Sequence, residues 1–218
     1  MLRKKFVDTQ IVIDEAIVPL VWLSFFVLLI FLFSSSTLLK FIALFILGTT
    51  LFIFRNPERH TLELDKNAII SVADGVVESI KEDNGNDFFA KGSYKVVISR
   101  SLFNTPALRA PHSSKTKLSR SVHGLHLPLK SLKSDYLNAY GSIQFCRGLK
   151  KCLAVKHTCG LFSMKLFFKE PQELEVGQRY GFILGGKVEV YIPLSARLAV
   201  KKGDHVIAAE SLLAYFPA

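Results

Sequence analysis

Charge is almost missing from one stretch of this 218-residue chain: between residues 16 and 54 the only ionisable side chain is Lys40. Other scarcities narrow what the chain can be. Thirteen glycines without a period exclude collagen-like and repeat architectures. The cysteines, Cys146, Cys152 and Cys159, are odd in number, which argues against a disulfide framework and makes thiols the expected state. Cys152, His157 and Cys159 lack the closely paired cysteines of a zinc site, and His123 and His126 have no cysteine or carboxylate partner in the same motif, so no metal is expected. Helix-turn-helix, zinc-finger and aromatic-interleaved basic motifs are also missing, so the net charge of +10 does not point to nucleic acid.

What the chain has in quantity is apolar surface. Half of it is hydrophobic and 21% is charged, enough apolar material to offset the entropy of ordering. The mean hydropathy of +0.30 is largely a local property of the N-terminal quarter. Residues 16–33 run without a charge and residues 38–54 carry only Lys40. Each is close to the length of about 20 residues that crosses a bilayer as a helix. Ser34-Ser35-Ser36-Thr37 forms a polar turn between them. The expectation is a transmembrane helical hairpin over residues 1–54, with helices at 16–33 and 38–54. A cleaved signal peptide is the rival, favoured by Arg3, Lys4 and Lys5 but opposed by Asp8, Asp14, Glu15 and the second apolar run. A re-entrant or interfacial hairpin is the third reading, since both runs are short and Lys40 is central to the pair. Arg3, Lys4 and Lys5 before the hairpin and Arg55 and Arg59 after it lead to the expectation that both ends lie on the cytoplasmic face.

Residues 55–218 form the globular part. Subtracting the residues of the first 54 leaves 24 Lys and Arg against 15 Asp and Glu, a surplus that suits a domain held beside an anionic leaflet. Apolar alternation between glycines predicts strands at 68–80, 94–98, 117–127, 153–155, 161–168, 180–184, 188–192, 196–200 and 206–209, and a short helix within 132–140. Many short strands predict a mainly β domain, an antiparallel sandwich or barrel.

Three strings carry a resemblance. Phe54-Arg55-Asn56-Pro57-Glu58-Arg59 follows the second apolar run, Ser71-Val72-Ala73-Asp74-Gly75 comes next, and 177–193 reads GQRYGFILGGKVEVYIP. Phe103-Asn104 with Arg109-Ala110-Pro111, Tyr136-Leu137-Asn138-Ala139, and Val200 through Glu210 add weaker echoes. In this order they resemble the short, membrane-anchored bacterial form of phosphatidylserine decarboxylase, over nearly the whole chain. The resemblance implies phosphatidylethanolamine synthesis at a bacterial-type inner membrane, with the globular domain cytoplasmic. It also implies an internal serine that attacks the carbonyl before it, splits the chain and leaves a pyruvoyl group as electron sink. In the family an aspartate, matched by Asp74, and a histidine help to activate that serine.

The chain departs from the pattern where the chemistry lies. Gly185 matches the family glycine and Gly186 the cleaved serine, and no serine lies between Ser163 and Ser195. Pro106 and Leu108 take the places of the family's histidine and asparagine. The resulting expectation is a decarboxylase-like protein without a pyruvoyl group or other cofactor, with phospholipid as its ligand and Arg55, Arg59 and Arg109 as phosphate-binding candidates. Each residue also has a plainer reading: Asp74 as a turn residue, Gly185-Gly186 as a hairpin turn, the arginines as surface or interfacial charges. Two alternatives stay open. One is an active decarboxylase using Ser163 or Ser195; the other is a biotinyl- or lipoyl-like module carrying its group on Lys187. A second copy of the chain, or another lipid-synthesis enzyme, is the expected protein partner.

Overall fold

The computed structural model describes residues 11–59, 65–84, 88–89, 92–131, 133–148, 151–161, 167–168 and 173–217. They fall into a helical unit that ends at Glu58 and a β-rich unit that begins at Arg59.

The helical unit is an antiparallel pair, α1 (Asp14–Phe33) and α2 (Thr37–Ile53). Asp14 begins α1, where a carboxylate complements the helix dipole. Ser36 caps α2 by accepting the Leu39 N–H at 3.4 Å. Polar groups inside α2 are satisfied within the helix: the Thr49 and Thr50 hydroxyls donate to the carbonyls of Phe45 and Ile46, each at 2.8 Å. Large apolar side chains such as Trp22, Phe26, Phe41 and Phe45 point outward. α1 is long and apolar enough to cross a membrane; α2 is a shorter apolar helix. The two open ends are tied by an antiparallel bridge between Val12 and Arg55, in which the Asn56 N–H donates to the Ile11 carbonyl at 2.7 Å.

The β-rich unit is mainly antiparallel. Its strands are β1 (Ala68–Ile70), β2 (Gly75–Asp83), β3 (Ser93–Ser99), β4 (Ala107–Arg109), β5 (Ser114–Val122), β6 (Tyr140–Arg147), β7 (Lys151–Thr158), β8 (Phe167–Phe168), β9 (Glu173–Leu174), β10 (Arg179–Phe182), β11 (Lys187–Pro193), β12 (Arg197–Leu198), β13 (His205–Val206) and β14 (Leu212–Tyr215). Among the described residues they form one eight-stranded sheet, β13-β2-β3-β11-β7-β6-β5-β9, and two three-stranded sheets, β1-β14-β12 and β4-β10-β8. A single turn of helix, α3 (Ser134–Leu137), lies within the predicted segment 132–140.

Alternation decides which side of the large sheet is core. On β11, Val188, Val190 and Ile192 join Val96 and Ile98 of β3 and Val155 of β7 in the core. Phe145 and Tyr180 meet there edge to face, with centroids 5.0 Å apart. The other face of β11 presents Lys187, Glu189 and Tyr191. Gly75 opens β2 because a Cβ at that position would strike the Ser99 carbonyl of β3. The Ala-Asp-Gly string therefore marks a close approach of two strands as well as a turn.

Two expectations need correction. Strand β6 went unseen because Gly141 reads as punctuation; it lies inside the strand, opposite His157. Cys146 and Cys152 are not thiols: they are disulfide-bonded, leaving Cys159 buried and free. They are directly opposed on the β6–β7 hairpin with Cα atoms 4.1 Å apart, so pairing follows from strand register and the odd count was a poor guide. Residues 162–166 of the predicted strand 161–168 lie outside the described residues, which include Leu161, in a turn, and the end of the segment, β8.

Candidate functional site

The outward face of β2, β3, β11 and β7 is the floor of a cleft of about 770 Å³. Its centre is Glu189, only 3% exposed. Register explains its company. Lys156 is directly opposite on β7, Lys187 is two residues back on the same face of β11, and Lys95 lies diagonally across on β3. Their ammonium groups stand 2.9 Å (Lys95), 3.4 Å (Lys187) and 4.0 Å (Lys156) from the Glu189 carboxylate, and the Tyr191 hydroxyl donates to it at 3.1 Å. Burial pushes the Glu189 carboxyl up, but Lys95, Lys187 and Lys156 outweigh it and hold it below the ordinary glutamate value. With Lys81 and Lys130, five lysines and Arg100 face two glutamates, Glu78 and Glu189, around the cleft. That surplus suits an anionic guest.

One wall is the turn Gly185-Gly186, with both residues at positive φ, 65° and 84°. A Cβ on Gly185 would come within 3.3 Å of Leu102. The turn is pinned by Arg100, whose N–H donates to the Gly186 carbonyl at 3.2 Å. The Arg100 guanidinium is buried and donates to the carbonyls of Asp74 (3.1 Å), Ile183 (3.0 Å) and Thr105. Burial lowers its pKa to about 10, still well above neutrality, against the raising effect of the Asp74 charge. Arg100 thus joins the Asp74 segment, the 100–106 loop and the glycine turn.

Asp74 is buried, and both carboxylate oxygens are engaged. Oδ2 lies 2.9 Å from an Arg59 nitrogen, and Oδ1 accepts the Ala208 N–H at 2.8 Å. Arg59 also approaches Thr105 Oγ1 at 3.4 Å and Glu210 at 3.7 Å. Arg109 is buried, and its guanidinium donates to the Gly177 carbonyl at 3.2 Å, between β4 and the turn before β10. Arg55 belongs to the helical unit, where it donates to the Phe52 carbonyl at 2.9 Å and stacks on the Phe52 ring. So the structure brings Asp74, Arg59 and the glycine turn into one network through Arg100 and the Thr105 segment. Arg55 lies in the helical unit and Arg109 between β4 and the turn before β10, and none of the three candidate arginines lines the cleft.

The remaining chemistry-bearing side chains have their own places. His157 is fully buried with Nε2 2.8 Å from the Tyr180 hydroxyl; burial first, then the Arg100 charge, lowers its pKa to about 3. Pro106 offers a carbonyl to the Ile183 N–H at 3.0 Å, and Leu108 is core. Lys187 starts a central strand with its side chain turned to Glu189, unlike a carrier lysine displayed on a free turn. Among the described residues, no three His, Cys, Asp or Glu side chains converge as a metal set. Sequence reasoning missed Arg100, Lys95, Lys156 and Glu189. The Lys187-Val188-Glu189 alternation was a readable signal for Glu189; nothing local marks Arg100.

Comparison with known proteins follows the same outline. A family model for phosphatidylserine decarboxylase matches residues 48–214. The chain is 30% identical over 207 residues to a phosphatidylserine decarboxylase proenzyme of Desulfotalea psychrophila, covering 94% of this chain and 96% of that one. Proteins of the same name from Syntrophus aciditrophicus and Geotalea uraniireducens are 34% and 33% identical, covering 81% and 82% of this chain and 85% of each relative. No solved structure matches it.

Proposed function

Because the chain belongs to the phosphatidylserine decarboxylase family, we propose that it serves phospholipid biosynthesis by holding a phospholipid headgroup in the basic cleft, without making a pyruvoyl group of its own. The observation that carries this reading is Gly186. The resemblance sets it on the serine that would become the pyruvoyl group, and a glycine has no hydroxyl to attack the preceding carbonyl. Its φ of 84° also disfavours any residue with a Cβ in this backbone. The residues present therefore do not fit the group.

The rival nucleophiles lend no support to an active enzyme. Ser195 lies beyond the far end of β11, and the seven residues of that strand cover roughly 23 Å. Ser163 lies outside the described residues. The cleft beside the turn, in contrast, is basic: Lys95, Lys156 and Lys187 stand around one carboxylate and can face a phosphate. A cytoplasm-facing domain beside the leaflet would give that phosphate ready access.

The intact mass of the chain purified in detergent tests the reading. A single uncut species near 24.4 kDa supports it. Two fragments divided near Gly185, the smaller carrying a blocked N-terminus, would overturn it in favour of an active decarboxylase.

A further inference from the structure

Three loops edge the mouth of the cleft, and they are unusually apolar. The β unit exposes eight large hydrophobic side chains among its described residues. Five of them sit on these loops: Tyr136 at 87% exposure, Phe103 at 60%, Leu125 at 55%, Leu161 at 53%, and Leu137. The other three, Val176, Leu194 and Ile207, lie one to a turn elsewhere. Tyr136 and Leu161 line the cleft directly, as does Leu102 next to Phe103. Leu125 and Leu137 are held side by side by the Leu125 N–H donating to the Leu137 carbonyl at 2.7 Å.

This exposure is built, because the longest of the loops is firmly clamped. The Asn138 amide donates to the carbonyls of Leu127 (2.9 Å) and Cys159 (2.8 Å), and its oxygen accepts the Leu127 N–H at 2.8 Å. The buried Ser134 hydroxyl bonds the carbonyls of Leu129 and Ser131. Gly124 passes so close to Leu137 and Asn138 that no Cβ would fit. A clustered apolar patch on an ordered loop marks an interaction surface. Exposed lysines, Lys130 and Lys133, accompany it, and the cleft behind it is basic. Apolar and aromatic tips among lysines complement the surface of an anionic bilayer, where tips enter the acyl boundary and lysines meet the headgroups.

We propose that this rim, Phe103, Leu125, Tyr136, Leu137 and Leu161 with Lys130 and Lys133, docks on an anionic phospholipid bilayer, so that the cleft opens against the lipid surface. The docking is independent of whether a pyruvoyl group forms. The mass measurement decides that question, and the following one decides this.

The full chain, with its one tryptophan replaced (Trp22→Phe), carries Tyr136→Trp or Leu161→Trp as a reporter. Each is reconstituted into vesicles of phosphatidylcholine and phosphatidylglycerol, with and without brominated acyl chains. Both reporters are expected to emit blue-shifted light and lose intensity to bromine, whereas Lys202→Trp, on an exposed turn elsewhere, keeps its intensity and a water-like emission. Lys130→Glu with Lys133→Glu should weaken the quenching in anionic vesicles. Water-like, unquenched emission from both reporters would overturn the proposal. Blue-shifted emission without quenching would also overturn it, assigning the rim to a second copy of the chain or another protein. Quenching that ignores both the anionic lipid and the lysine changes would overturn the anionic choice of surface.

Discussion

Arg59 and Asp74 fasten the start of the β unit to its far end. The guanidinium lies 2.9 Å from one carboxylate oxygen of Asp74, and the other oxygen accepts the Ala208 N–H. One aspartate therefore ties together segments that are 134 residues apart in sequence. The retained aspartate of the resemblance is thus at least a structural tie. Asp74→Asn should keep the Ala208 bond and lose the ion pair. Because the Arg59 side chain keeps 15% and that of buried Asp74 11% of its exposure, the loss should be about 1–3 kcal/mol, below that for breaking a fully buried pair. Asp74→Ala, losing both interactions, should fall further. Thermal unfolding of both variants in detergent checks the order; equal stability of all three proteins would contradict the tie.

Restoring the serine at the glycine turn should not restore self-cleavage. Gly186→Ser places a side chain at φ 84°, where an L-residue is strained by about 1–2 kcal/mol, and Pro106 still stands where the resemblance calls for a histidine. The expected product is an uncut chain with a lower unfolding midpoint. Intact mass and a melting curve on the same sample read both.

Acid should weaken the domain from near pH 6.5 downward. Burial holds His157 at about 3 and His112 at about 4, both below the ordinary 6.5. Between those values the unfolded chain takes up protons that the folded chain refuses. Stability is therefore full above pH 6.5 and is lost as pH falls toward 4, by about 1.4 kcal/mol per pH unit for each histidine. Unfolding midpoints between about pH 7 and 5 measure the slope. His157→Phe should roughly halve it, and an unchanged slope would show that His157 is not buried neutral.

The Cys146–Cys152 bridge closes a short loop, with a sequence separation of 6. The loop-closure relation gives about 2 kcal/mol for a loop of that size. Reduction should lower the unfolding free energy by about that amount, read as a lower unfolding midpoint. Mass analysis after alkylation should count one accessible thiol at most in the folded oxidised chain and three after unfolding and reduction.

Legibility in the sequence followed the range of the interactions. The apolar runs were plain because a helix in lipid needs a long run without charge, and the structure has α1 and α2 within three residues of the expected bounds. Strands β2, β3 and β11 were readable from alternation, because each has one face in the core. Strands β4 and β14 are three and four residues long and carry too little pattern to be seen, whereas β1 fell within the expected strand 68–80. At the site, Asp74 and the glycine pair stood in contiguous strings. Arg100 and Lys95 could not be found that way: what makes them part of the site is register and burial between segments distant in the chain.

The Asn138 clamp also separates two properties that most loops share. The path of the chain from Gly124 to Ala139 is fixed largely by hydrogen bonds to backbone, and its outward leucines and tyrosine contribute little to that path. Leu125, Tyr136 and Leu137 can therefore exchange for polar or larger residues with little effect on folding. On the proposed docking, variation in this stretch would be free to follow the lipid composition of the membrane, while Asn138 would stay under the separate demand of holding the loop.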